Sequence, residues 1–174
     1  VNPDAPAVAG YRHLDEVVTW NQAVFAAVHN ELTAGRLPLM MGGDHSLAIG
    51  SISAVARYCR ERSRKLRILW FDAHADFNTS AITPSGNLHG MPAACLCGFG
   101  PPALVELSGT VPAIGAGEIR QIGIRSVDEG EKRFLGEQGI EVFDMRYIDE
   151  IGMRRTLELA LAGVDEATHL HVSL

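Results

Sequence analysis

Four side chains of this sequence are of the types that bind a divalent cation, and they follow two short apolar runs. Asp72, His74 and Asp76 stand at i, i+2 and i+4 in LRILWFDAHADFN, residues 66–78. His45 stands in GGDHS, directly after the run Leu37 to Met41. Alternate residues of an extended chain face the same way, so the spacing predicts that both carboxylates and the imidazole of the first group converge. A lone Asp-x-His would read as surface polarity or a cap. Three alternating ligands and a glycine-flanked histidine read as a metal site, because burying such charges unpaired is costly and a cation removes that cost. Mixed carboxylate and imidazole ligands suit manganese, and by type alone they also admit iron, cobalt, nickel or zinc.

These residues need elements to position them. Leu66 to Phe71 reads as a buried strand and Leu37–Met41 as another. Two strand ends offering ligands at their carboxyl edges is how open α/β sheets build sites. Residues 13–34 carry an apolar stripe at helical spacing (Leu14, Val17, Val18, Ala23, Val24, Ala27, Val28), with Gly35 placed to end the helix. Ser46 is placed to cap a second helix running to about Arg60. Residues 73–90 form a polar loop whose length implies a function.

A helix is expected from about His89 to Cys97, then a turn at Gly98–Pro102, while residues 103–117 carry no clear pattern. Beyond them, Glu118–Ile124, Ile140–Phe143 and Thr168–Leu174 read as strands, with helices at Asp128–Gln138 and Ile151–Leu161. This alternation predicts an α/β fold, a three-layer αβα arrangement with a mostly parallel sheet, in a single domain over residues 1–174.

The composition is that of a globular chain, 47% hydrophobic and 21% charged, and the net charge of −6 argues against a nucleic-acid partner. The basic cluster Arg60, Arg62, Arg64, Lys65 and Arg67 reads as a solvated helix end favoured by the macrodipole. No apolar stretch is long enough to span a membrane. Cys59, Cys95 and Cys97 are odd in number and lack framework spacing, which predicts free thiols in a reducing, cytoplasmic setting. The opening VNPDAPAVAG has no initiating Met and reads as a chain joined part-way.

Three blocks, GGDHSLAIGSIS at 42–53, DAHADFNT at 72–79 and SGNLHGMP at 85–92, closely resemble the arginases, within the ureohydrolase family of binuclear manganese enzymes, and stand in that family's order. The resemblance implies hydrolysis of L-arginine to L-ornithine and urea by a hydroxide shared between two metal ions. It also implies that Asp72 bridges two manganese ions, that His45 and Asp76 complete the first site, and that His74 holds the second. Asp44 is read as a turn or supporting residue. The implied catalytic residues are Asp76 and His89, the latter as the relay that gives a proton to the leaving amine. Histidine suits that task because imidazole titrates near neutrality.

Asn78, Thr83 and Ser85, with Asn87 beside them, match positions that bind the substrate's α-carboxylate, and Asp128 and Glu131 match positions that receive its α-amino group. Relatives are commonly trimers or hexamers, so a homo-oligomer is implied. The chain stops at HLHVSL, where the family continues into an Asp-x-Asp-x-x-Asp-Pro segment carrying further ligands. His169 and His171 are read as buried strand or capping residues and not as substitutes for those ligands. The chain is therefore expected to be an arginase fragment, inactive by itself. The competing readings are another ureohydrolase (agmatinase, formiminoglutamase or a guanidino-acid hydrolase) and a non-catalytic metal- or partner-binding relative.

Overall fold

The computed structural model describes residues 7–174. Helix α1 (Leu14–Thr33) ends just before Gly35, whose φ of +74° takes the chain out of the helix. It packs on α2 (Ala48–Glu61) through Val28 and Leu32. The two helices approach closely at Gly50, where a Cβ would lie 2.4 Å from the Asn21 carbonyl oxygen. Asn21 is fully buried there: its amide donates to the Val17 carbonyl (2.9 Å), and its Oδ1 accepts from the Gly50 N–H (2.6 Å), one of the donors a helix start leaves without a partner.

The sheet has four parallel strands, β1 (Lys65–Phe71), β2 (Ile119–Ile124), β3 (Glu141–Asp144) and β4 (Thr168–Ser173), in the order β3-β2-β1-β4. Strand β1 is covered on both faces. Leu66, Ile68 and Trp70 join the core formed with α1, α2 and α5 (Glu129–Gln138). Leu69 faces the other way, onto Ile122, Phe143, Ile148 and Ala160, the last two from α6 (Met145–Ile151) and α7 (Met153–Ala160). The three-layer α/β arrangement read from the sequence is the observed one. Between β1 and β2 lie the short helices α3 (Pro92–Leu96) and α4 (Pro102–Val105). No helix among the described residues is long and apolar enough to cross a membrane.

Several local expectations need correction. Leu37–Met41 is not a strand. Leu37, Leu39 and Met41 are 80%, 86% and 94% exposed. An apolar run becomes a strand only if its N–H and C=O groups find a ladder. Here a cavity of about 680 Å³ separates Leu37, Leu39 and Met40 from His169, His171 and Ser173 of β4. The helix expected from about residue 89 is instead a 3₁₀ turn, Leu88–Gly90, followed by α3 with Pro92 in its first turn. The helix expected at Ile151–Leu161 is present as α7, whereas α6 before it was not anticipated; Gly152, at φ +82°, divides the two. Asp44, and not Ser46, is the cap before α2: its Oδ1 accepts from the Ser46 N–H at 2.9 Å.

The basic cluster is more than a solvated helix end. Arg60 donates to the carbonyls of Ser108 and Ala113, Arg67 to that of Ala160, and Lys65 pairs with Asp165. The three cysteines are free. His171 is partly buried, and burial beside His169 pushes its pKa down to about 4.

Candidate metal centre

The site forms where β1 and the turn before α2 meet. Gly42 and Gly43, at φ +96° and +78°, bend the chain so that His45 turns back over the end of β1. The imidazole stacks on Trp70, with centroids 4.1 Å apart and planes 20° from parallel. His45 Nδ1 lies 2.7 Å from Asp72 Oδ2 and 3.0 Å from Asp76 Oδ2. His45, Asp72 and Asp76 each offer a ligand atom, and these atoms all lie within 4.8 Å of one another. On the other side of the ring, Nε2 is 3.0 Å from Ser173 Oγ.

The expected alternation fails after its first member. Strand β1 stops at Phe71, and Asp76 takes a left-handed conformation at φ +50°, uncommon for a residue with a side chain. His74 therefore stays outside the cluster, with its side chain 61% exposed and its Nδ1 3.4 Å from Asp72 Oδ1. The three residues that converge are His45, Asp72 and Asp76, and not Asp72, His74 and Asp76. Asp72 presents Oδ2 to that cluster and Oδ1 to His74.

The electrostatics suit a cation. Asp76 is only 5% exposed, and its buried Oδ2 has no hydrogen-bond donor beyond the ion-pair approach of His45 Nδ1 at 3.0 Å. Burial, with the charge of Asp72 adding to it, holds the Asp76 carboxyl above its usual range against the pull of His45. Asp72 is lowered: burial acts upward, but the His74 N–H (3.1 Å) and His45 outweigh it. For His45 burial acts downward, and the two carboxylates outweigh it to raise the imidazole. A buried carboxylate oxygen with no donor but an imidazole nitrogen, beside a second carboxylate, fits a divalent ion held by O and N ligands.

One backbone group of each residue from Asp72 to Asn78 is tied down. Asp72 N–H donates to Ile122, and the Ala73 carbonyl accepts from Arg125 and Ser126. The Ala75 carbonyl accepts from the side chain of Gln121, which is wholly buried in β2. The Asp76 carbonyl accepts from Ala93 and Ala94 at the start of α3, and Asn78 N–H donates to Gly90. Glu131, buried in the first turn of α5, accepts from Phe77 N–H (2.8 Å) with one oxygen and from Asp128 N–H (3.3 Å) with the other. Both of its oxygens are thus engaged by the backbone.

The remaining candidate residues lie on the loop that follows. Asn78 is buried, and its amide donates to Asp128 Oδ2 (3.2 Å), while its own Oδ1 has no partner. Thr83 Oγ1 accepts from the N–H groups of Ser85 and Gly86, and Ser85 Oγ accepts from Asn87 N–H. Both hydroxyls therefore hold the loop through their lone pairs and keep their O–H donors for a ligand. Ile82 rests on the first turn of α5, 3.4 Å from where a Gly130 Cβ would stand. His89 is exposed on the 3₁₀ turn whose Gly90 carbonyl accepts from Asn78. Trp70, Gln121 and Ser173 were not singled out from the sequence. Only Ser173 left a trace, the alternation His169-x-His171-x-Ser173 that sets one face of β4.

A sequence model of the arginase family matches residues 4–174. The arginase of Bacillus caldovelox is 44% identical over 164 residues, which are 94% of this chain and 54% of that protein. Its crystal structure superposes with a TM-score of 0.88 at 42% identity, covering 97% of this chain and 56% of the other. The arginase of Entamoeba histolytica, solved with L-ornithine, gives 0.82 at 32% identity over 98% of this chain and 58% of that one. The chain spans about half the length of the curated relatives it matches. With a parallel sheet, a His-Asp-Asp cluster at its carboxyl edge and a family match over nearly every residue, the chain belongs to the arginase family.

Proposed function

We propose that the complete protein hydrolyses L-arginine to L-ornithine and urea. The observation that carries this reading is the convergence of His45, Asp72 and the buried Asp76 carboxylate at one point in a chain of this family. His45, Asp72 and Asp76 would hold one manganese ion. Asp72, through its second oxygen, and His74 would contribute to another. Bound cations would supply the nucleophile by lowering the pKa of water towards neutrality.

Hydrolysis adds the water oxygen to the guanidinium carbon and expels the side-chain amine of ornithine, which takes up a proton as it leaves. His89 is the group assigned to deliver that proton. The Thr83 and Ser85 hydroxyls and the amides of Asn78 and Asn87 would receive the α-carboxylate, and Asp128 the α-amino group. The Asn78–Asp128 hydrogen bond supports this division, because it sets an amide and an acid side by side, as an amino acid's two ends require. Glu131 would act there through the backbone it holds. Residues 1–174 are taken as one domain, and the working form as a cytoplasmic homo-oligomer, a trimer or hexamer, both on the family resemblance.

The test compares L-arginine with agmatine, which has the guanidinium group but no α-carboxylate. In the complete protein, Ser85→Ala should reduce kcat/KM for L-arginine by about 10- to 100-fold, the equivalent of losing a hydrogen bond to a charged group, about 1.5–3 kcal/mol. Any turnover of agmatine should change little. Equal effects on both substrates would remove Ser85 from carboxylate recognition, and absence of urea release from L-arginine would end the reading.

A further inference from the structure

We infer that Arg12 is a positioning residue for recognition of the α-carboxylate: from outside the loop it holds the backbone of Ser85 and Gly86. The inference rests on the function proposed above and adds a residue to it. The Thr83 and Ser85 hydroxyls engage only their own loop, through the N–H groups of Ser85, Gly86 and Asn87. Such bonds shape a turn but do not fix it against the body of the protein. Arg12 does so twice. Its backbone N–H donates to the Gly86 carbonyl (2.9 Å), and its Nε donates to the Ser85 carbonyl (2.9 Å). Among the described residues, no other hydrogen bond reaches residues 83–86 from outside the loop.

The residues around Arg12 build a support for that grip. Val8 and Tyr11 exchange both backbone hydrogen bonds (2.8 and 3.0 Å), and Ala9 and Gly10 between them have φ of +51° and +83°. Two left-handed residues in a row close a tight two-residue turn. Gly10 rests on the start of the loop, where a Cβ would stand 2.7 Å from Ser80 Cβ. Its carbonyl oxygen lies 3.2 Å from the place of a Gly86 Cβ. Tyr11 and Leu14 pack against the buried cluster that contains Ile49, Leu88 and Met91, so the turn is rooted in the core just beyond the loop. The Ser85 hydroxyl moves with the carbonyl of the same residue, and holding that carbonyl fixes the O–H against the rest of the site. Neutral hydroxyls recognise a carboxylate by placement, and a misplacement of about 1 Å can cost about 10²-fold.

The experiment follows urea release from L-arginine by the complete protein, with metal analysis alongside. Arg12→Met keeps an unbranched stem and removes the donor, whereas Arg12→Lys keeps a charged donor. Arg12→Met should raise KM for L-arginine about 10- to 100-fold and leave kcat within about threefold of the parent. Arg12→Lys should return KM to within about threefold of the parent. Metal content should be unchanged in both, because the grip lies outside the cluster of His45, Asp72 and Asp76. An unchanged KM in Arg12→Met, an equal rise in both variants, or a fall in kcat or metal content in place of the rise would overturn the inference. If Arg12→Met does not fold, Gly10→Ala, which presses on Ser80, takes its place and should raise KM in the same way. Ser85→Ala serves as the reference. If it raises KM and Arg12→Met does not, only the role of Arg12 falls; if neither does, the carboxylate site itself is refuted, and absence of urea release from the parent removes both.

Discussion

Asp76 concentrates the cost of building this site. It holds a left-handed backbone, lies almost wholly buried and sets its Oδ2 beside no donor but His45. Each of these is unfavourable for an ordinary residue, and together they are reasonable only where a ligand later repays them. Asp72 differs, since one of its oxygens faces His45 and the other His74. His89 is different again, an exposed imidazole with no place in the cluster. That separation gives a prediction for the complete protein. His89→Ala should lower kcat by about 10²–10⁴-fold, the usual contribution of a general acid, with metal content unchanged. Steady-state kinetics beside metal analysis decides it; loss of metal, or an unchanged rate, would remove the relay.

At the scale of elements, the site depends on a loop with little regular structure of its own, held by three neighbours. Strand β2 grips Asp72, Ala73 and Ala75 directly or through the residues that follow it, α3 grips Asp76, and α5 grips Phe77 through Glu131. Replacing Glu131 by Gln keeps the shape but turns one acceptor into a donor facing an N–H group. Denaturant unfolding of Glu131→Gln should show a loss of about 1.5–3 kcal/mol. A change below about 0.5 kcal/mol, the level of an ordinary surface substitution, would mean the loop is held by other contacts.

The same loop marks the limit of what the sequence makes legible. Leu66–Phe71, the helix after Asp128 and the stripe of α1 are local patterns, and they appear where their periodicity puts them. His45, Asp72 and Asp76 were identifiable as ligands by type. Their geometry was not, because the left-handed turn at Asp76 is imposed by α3 and α5 and has no signature in Ala-Asp-Phe. Leu37–Met41 failed for a related reason. Its composition is that of a strand, but a strand also needs a neighbour, and composition does not report one. Gln121 and Ser173 became visible only once strand register was known.

For the whole molecule, the sheet places its chemistry at one end and leaves one side open. Beyond β4 the described residues show no further strand, and Leu170, Val172 and Leu174 are exposed beside the cavity bounded by Leu37–Met40. The ligands are distributed as unevenly. In the proposed centre His45, Asp72 and Asp76 would give one ion three protein ligands, whereas Asp72 and His74 would give a second only two. The proposed centre thus amounts to one competent divalent site in this chain. Calorimetric titration of the 174-residue chain with Mn²⁺ tests it most directly. One tight site per chain is expected, lost in Asp72→Asn, with no urea released from L-arginine by the chain alone. Binding that survives Asp72→Asn, two tight sites, or none would contradict it.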